Sequence, residues 1–158
     1  MPHMISVVPV YQTEYVTVEV DPAWKFIQIT WLQQPSSDLF RRETNWVVDY
    51  ARQHGYHRAL FDVRKRNYLD MGDQNWLVHE VFPAFRSYHI RLAYLVSTVG
   101  LEIMDTFKIH DQVIQNPALK QHLTIDIFLD REDALNWVLE PLEVPFPDKQ
   151  DKGYGSGQ

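Results

Sequence analysis

The sequence contains no cysteine, which excludes a disulfide framework, a thiolate zinc site and a thiol nucleophile, and suits a reducing compartment such as the cytoplasm. Glycine is scarce, with six in 158 residues, and no Gly-Lys-Ser or Gly-Lys-Thr occurs. The nucleotide-hydrolase phosphate loop is therefore absent. The one glycine-rich run, Gly153 to Gly157, follows no strand and opens no helix, so it reads as a flexible end. No apolar stretch approaches the ~20 residues of a membrane span, and no basic segment followed by a hydrophobic one marks an export signal. Positive charge is in deficit: 15 Lys and Arg face 21 Asp and Glu, a formal charge of -6. A phosphate backbone would be repelled, which disfavours general nucleic-acid binding.

What remains is 45% hydrophobic and 23% charged, the balance of one ordinary globular domain. Thr13 to Val20 alternates Val16, Val18 and Val20 with Tyr15, Thr17 and Glu19, the period of a half-buried strand. Trp24 to Trp31 resumes the alternation after Asp21-Pro22, which predicts an antiparallel hairpin. Beyond Pro35, Phe40, Thr44, Val47, Val48 and Ala51 recur at helical spacing, with Ser37 or Asp38 placed as a cap and Gly55 as a stop. His57 to Val63 reads as a buried strand, followed by the solvated loop Arg64-Lys65-Arg66-Asn67. Asp70 or Asp73 can cap a second helix carrying Trp76, Leu77, Val81 and Phe85, which Pro83 kinks or ends. Asn75, His79 and Arg86 fall on its water side.

Ile90 to Val96 reads as the next strand, and Gly100 follows it. A third helix over about Leu101 to Ile114 puts Ile103, Met104, Phe107 and Ile114 on its core side, with Pro117 beyond its end. Leu123 to Phe128 is the last strand, and Asp130 with Asp133 opens a final helix through Trp137 and Leu139. The expected fold class is α/β: a mixed sheet of about five strands, an antiparallel hairpin followed by βαβαβα, with helices packed against it. Residues 1–12 read as an N-terminal extension, 13–140 as a single domain, and 141–158 as an extended Pro-rich segment and flexible tail. Leu142, Val144 and Phe146 alternate in that segment and are apolar enough to lie against the domain or against a second copy of it.

Chemical motifs are few. His54 and His57 flank Gly55-Tyr56 but lack a third ligand, so no metal site is expected. Asp105 and His110 lie about 140° apart on a helix and do not converge. Ser36 and Ser37 sit in no Gly-x-Ser-x-Gly elbow. Trp31, Trp46, Trp76 and Trp137 fall within regular elements, where burial of apolar area is their plainer use. No catalytic residue and no cofactor emerges.

In an open sheet of this kind, ligands and partners meet the loops at the carboxyl ends of the parallel strands. The longest of these loops runs from Asp62 to Asp73 and precedes a helix. Its candidate partner-binding residues are Arg64, Tyr68, Asp70, Met71, Gly72, Asp73 and Trp76, and the neighbouring strand ends add Ser97, Thr98 and Asp130. An ordinary solvated loop explains the same residues. Arg64, Tyr68, Asp70 and Asp73 are expected to be surface positions whose replacement impairs binding while leaving stability nearly unchanged.

The order of elements, the long loop before the second helix and the closing run Phe128-Leu129-Asp130-Arg131-Glu132-Asp133-Ala134-Leu135-Asn136-Trp137-Val138 together resemble the STAS-like domains of bacterial anti-sigma-factor antagonists. The resemblance covers about Glu14 to Leu139 and is nearest to the small stand-alone bacterial members. It implies a non-enzymatic cytoplasmic regulatory or protein-interaction module. In regulatory STAS domains a Ser at the start of the second helix is phosphorylated. Here Asp70-Met71-Gly72-Asp73 offers no hydroxyl, and Asp73 is either a fixed negative charge or a helix cap. The partner expected is a protein, with a homodimer as one option. The alternative is a domain that binds or carries a small, apolar, lipid-like ligand. An apolar chamber above ~300 Å³ would favour the carrier, and an exposed patch around Asp70 to Trp76 the interaction module.

Overall fold

The computed structural model describes residues 5–66, 68–85, 89–98 and 105–141, with the side chains of 105–107 left aside. Six strands form one sheet in sequential order: β1 (Val8–Gln12), β2 (Val16–Asp21), β3 (Phe26–Trp31), β4 (Arg58–Asp62), β5 (Ile90–Leu95) and β6 (Leu123–Phe128). The first three pair antiparallel and β3 to β6 pair parallel. The fold is α/β with a mixed sheet. Its sixth strand is β1, supplied by the segment that reads in sequence as an extension. Pro9 hides it, because proline breaks a strand pattern yet is tolerated on an edge strand, and here it adjoins a register shift between Pro9 and Tyr11.

Alternation decides which side chains go where. Val16, Val18, Val20, Ile27, Ile29, Trp31, Leu92 and Tyr94 point to the front face, where they meet α1 (Ser37–His54), a second helical segment and α3 (Asp105–Ile114). Phe26, Leu60, Ala93 and Leu95 point to the back, where α5 (Arg131–Val138) covers them with Ala134, Val138 and Leu139. Two guanidiniums hold the end of α5. Arg58 and Arg91 are register partners on β4 and β5. Arg91 donates through Nε to the Trp137 carbonyl at 2.9 Å and through Nη2 to Glu140 Oε1 at 3.0 Å. Arg58 donates to the carbonyls of Trp24 and Glu140. The carboxyl end of α5 thus receives two cations, which complement its dipole.

Several local expectations need correction. Ser36, not Ser37 or Asp38, caps α1: its backbone is still extended and its hydroxyl accepts from the Leu39 N–H. Gly55 ends that helix in the left-handed region at φ 67, as its position implies. The second helical segment is a composite of α2 (Met71–Trp76), a π-helical turn (Leu77–Val81) and a 3-10 turn (Phe82–Phe85). The Phe82 N–H reaches back to the Leu77 carbonyl, and Pro83, having no N–H, cannot restore the α ladder. Ile114 is exposed, because Ile109 and Val113 take the core side of α3 and the next residue lies about 100° further round. Pro117 does not merely follow a helix. It opens the short α4 (Pro117–Lys120), capped by Asn116. Arg66 is buried with its guanidinium over the Phe40 ring, whereas Arg64 and Lys65 beside it face water.

Asn67, Arg86, Gly100, Ile103, Met104, the Phe107 side chain and the strip Leu142, Val144 and Phe146 lie outside the described residues. Among those described, no helix is long and apolar enough to cross a membrane.

Candidate functional site

The carboxyl edge of the parallel strands carries the loop from β4 to α2. Asp62, buried at the end of β4, accepts Arg64 Nε at 3.0 Å and Nη2 at 2.7 Å, so Arg64 folds back in a bidentate pair. Hydrogen bonding to Asp62 raises the Arg64 pKa further above its ordinary range. The loop then crosses to the segment after β3, where the Gln34 side chain holds the Tyr68 backbone from both sides. Tyr68 N–H donates to Gln34 Oε1 at 3.2 Å, and Gln34 Nε2 donates to the Tyr68 carbonyl at 3.1 Å.

Asp70 caps α2 by accepting from the Asp73 N–H at 2.8 Å. Asp73 is not a surface residue. It is buried, and its Oδ1 accepts both the Ser37 hydroxyl and Arg41 Nε at 2.7 Å. Arg41 also donates to the Gly72 carbonyl at 3.3 Å and lies 5.1 Å over the Trp76 ring. Trp76 meets Phe40 edge-on. The expectation that Asp73 is a surface position is therefore corrected: it is buried and joins α1 to α2. Asp70 is exposed, and its cap satisfies an otherwise orphan N–H.

On this frame two large apolar side chains face water: Tyr68 is 54% and Met71 55% exposed. Leu129 is similarly exposed past the end of β6 on the same edge. Between Gln34, Ser37, Phe40, Tyr68, Asp70 and Asp73 lies a cleft of about 60 Å³. Ser97, Thr98 and Asp130 share the edge but not the cleft. Asp130 caps α5 by accepting from the Asp133 N–H at 3.0 Å, and β6 stands roughly 10 Å from β4 at ordinary strand spacing. Sequence reasoning missed Gln34, Ser37 and Arg41. Ser37 and Arg41 are four apart and so share a helix face, a signal that was available. Gln34 gave none.

Two other candidates resolve into separate roles. His54 stacks on Tyr50 at 4.1 Å, in a column continuing through Trp46 to Tyr11. His57 Nδ1 lies 3.4 Å from the His89 carbonyl, and burial lowers the His57 pKa. Among the described residues no group of three His, Cys, Asp or Glu is placed to hold a metal ion. Trp31 is buried, whereas Trp46, Trp76 and Trp137 are half-buried. Beneath the helices, the apolar cavity between Ile27, Val47, Phe61, Leu77 and Leu92 measures about 20 Å³, room for little more than one water.

No family model matches the chain, and no solved structure matches it. One curated relative is the putative ankyrin repeat protein FPV222 of fowlpox virus, 26% identical over 102 residues. That alignment takes in 58% of this chain and 14% of the viral protein, so the chain spans a small part of that relative's length.

Proposed function

We propose that this protein is a non-enzymatic interaction module of STAS-like type that docks a protein partner on the carboxyl edge of its sheet, through Tyr68, Met71 and the exposed side of Trp76. The observation that carries this reading is the pairing of exposure with rigidity. Tyr68 and Met71 are more than half exposed, yet the backbone beneath them is tied to β3 by Gln34 and to α1 by Asp73, Ser37 and Arg41. A backbone already held in place spares the ordering of the loop on binding, and an aromatic and a polarizable Met supply contact area, which favours them as interface anchors.

The STAS-like part of the reading is supported by the order of elements, an opening antiparallel hairpin followed by alternating strands and helices. Control at α2 would differ from that of the phosphorylated domains. Met71 and Gly72 carry no hydroxyl, and the Asp73 charge is turned inward onto Ser37 and Arg41. The match to a protein named for ankyrin repeats, a class that works through extended binding surfaces, is in keeping with an interaction role. A cytoplasmic setting belongs to the same proposal and rests on the cysteine-free sequence. The apolar-ligand alternative has no observation in its favour beneath the helices, where the cavity is about 20 Å³.

Affinity capture of the full chain from its native cells, compared with a Tyr68→Ala/Met71→Ala variant, tests the proposal. The variant should lose the co-purifying partner while its unfolding free energy stays within about 0.5 kcal/mol of the parent. An unchanged set of co-purifying proteins would overturn it.

A further inference from the structure

The opposite, amino edge of the sheet carries a feature that the proposed docking surface does not use. Between the turn that follows α2 and the short α4 runs a groove of about 380 Å³, against about 60 Å³ for the cleft at Tyr68. That volume is in the range of small-molecule sites. Val78, Phe82 and Leu119, all buried, form its apolar floor, and His79, His122 and Asn116 stand among its polar lining groups.

Two observations set this groove apart from an ordinary surface furrow. One wall is the π-helical turn Leu77–Val81, which contributes both Val78 and His79. Such turns are rare and frequently fall at functional sites, where the changed hydrogen bonding re-aims a side chain. The opposite wall is fixed: Asn116 Oδ1 accepts the N–H groups of Ala118 and Leu119 at 3.1 and 3.3 Å, and the His122 carbonyl accepts the Ile90 N–H at 2.7 Å. A walled groove of this kind is open without having to be opened.

Its chemistry selects an occupant. The floor offers apolar contact and the lining offers two imidazoles and two amides, while no carboxylate among the described residues lines it although the chain as a whole is acidic. Lys120 is exposed on α4 between two lining residues, and Glu80 on the π-turn lies outside the lining. We propose that the groove binds a small planar aromatic carboxylate, its ring on Val78, Phe82 and Leu119 and its anion toward His79 and His122.

The test uses the full chain and 1-naphthoate as probe, followed by amide and imidazole NMR shifts. Saturable shifts should appear at Val78, His79 and residues 116 to 122, with none at Tyr68 or Met71. Ala118 is exposed on the groove wall, so Ala118→Trp should fill the space without disturbing the core and weaken binding at least tenfold. A His79→Ala/His122→Ala variant should bind naphthoate at least tenfold more weakly yet lose little affinity for neutral 1-naphthalenemethanol. Each variant is scored only if its spectrum retains the parent dispersion. Absence of saturable shifts in the parent, shifts centred elsewhere, or unaltered binding by Ala118→Trp would overturn the proposal. Equal losses for the acid and the alcohol in the His variant would overturn its anion-directed part. Partner capture through Tyr68 and Met71 stands or falls separately, because those residues lie on the other edge.

Discussion

Replacing Asp73 by Ala should destabilise the fold although the residue sits beside an exposed loop. The side chain is buried and one oxygen takes two donors, the Ser37 hydroxyl and Arg41 Nε, both at 2.7 Å. A hydrogen bond to a charged acceptor contributes about 1.5 to 3 kcal/mol, here from Ser37. The Arg41 side chain is 40% exposed, so solvent screening limits its share to about 1 kcal/mol or less. The expected loss is therefore about 2 to 4 kcal/mol, which for a domain of this size lowers Tm by roughly 4 to 16 °C. Asp73→Asn keeps an acceptor and removes the charge, so its loss should be about half as large. Urea denaturation of the parent, both Asp73 variants, Ser37→Ala and the Ser37→Ala/Asp73→Ala pair gives the coupling directly. A loss below about 0.5 kcal/mol for Asp73→Ala, or strict additivity with Ser37→Ala, would refute the assignment of Asp73 as the tie between α1 and α2.

Other outcomes follow from buried titratable groups and from one backbone position. Glu43 is completely buried; burial alone would raise its pKa, but hydrogen bonds from Arg42, Tyr11 and Thr13 outweigh it and the net shift is downward. Its stabilisation is present above the unfolded value of 4.5 and is lost as pH falls through the lower folded value, so Glu43→Gln should flatten the acid limb of a stability-against-pH curve. His57 is lowered from 6.5 mainly by burial, which the hydrogen bond to the His89 backbone offsets in part and the charges of Arg58 and Lys25 reinforce. The unfolded chain then takes the proton first, and stability should decline as pH falls through 6.5 and on through the lower folded value, a decline that denaturation of His57→Asn should show reduced. Gly55→Ala should cost about 1 to 2 kcal/mol by urea denaturation, because φ is 67 there while the space around an added Cβ is open.

The sequence was most informative where one period governed a whole element. Val16, Val18 and Val20, or Phe40, Val47 and Ala51, satisfy a face that burial then confirms. It was least informative where structure depends on partners remote in sequence. Nothing in Val8 to Gln12 announces a strand until Val20 and Glu19 lie beside it. Pro83 signalled a disruption without saying that a π-turn would precede it. At the candidate site, the loop and its cap at Asp70 were legible, since capping is local. The inward turn of Asp73 was not, because Ser37 and Arg41 arrive from a helix more than thirty residues earlier. Glu43 misleads in the same way: a charge on a helix reads as solvated until Tyr11 and Thr13 close over it.

The sequential strand order has a consequence for how the chain reaches its native state. Each strand pairs only with the strands before and after it in sequence, so the sheet can be laid down in chain order during synthesis. The hairpin forms between near neighbours, whereas each parallel pairing, such as Phe26 with Arg58 or Ile90 with Leu123, bridges more than thirty residues and waits on its crossover. The back face is the exception. Phe26, Leu60, Ala93 and Leu95 stay uncovered until α5 is made, and Arg58 and Arg91 have no Glu140 or Trp137 carbonyl to bind before then. Closure by α5 is thus the step that converts a growing sheet with one greasy side into a finished domain, and a chain stopped before Arg131 would present that side to its neighbours as an invitation to aggregate.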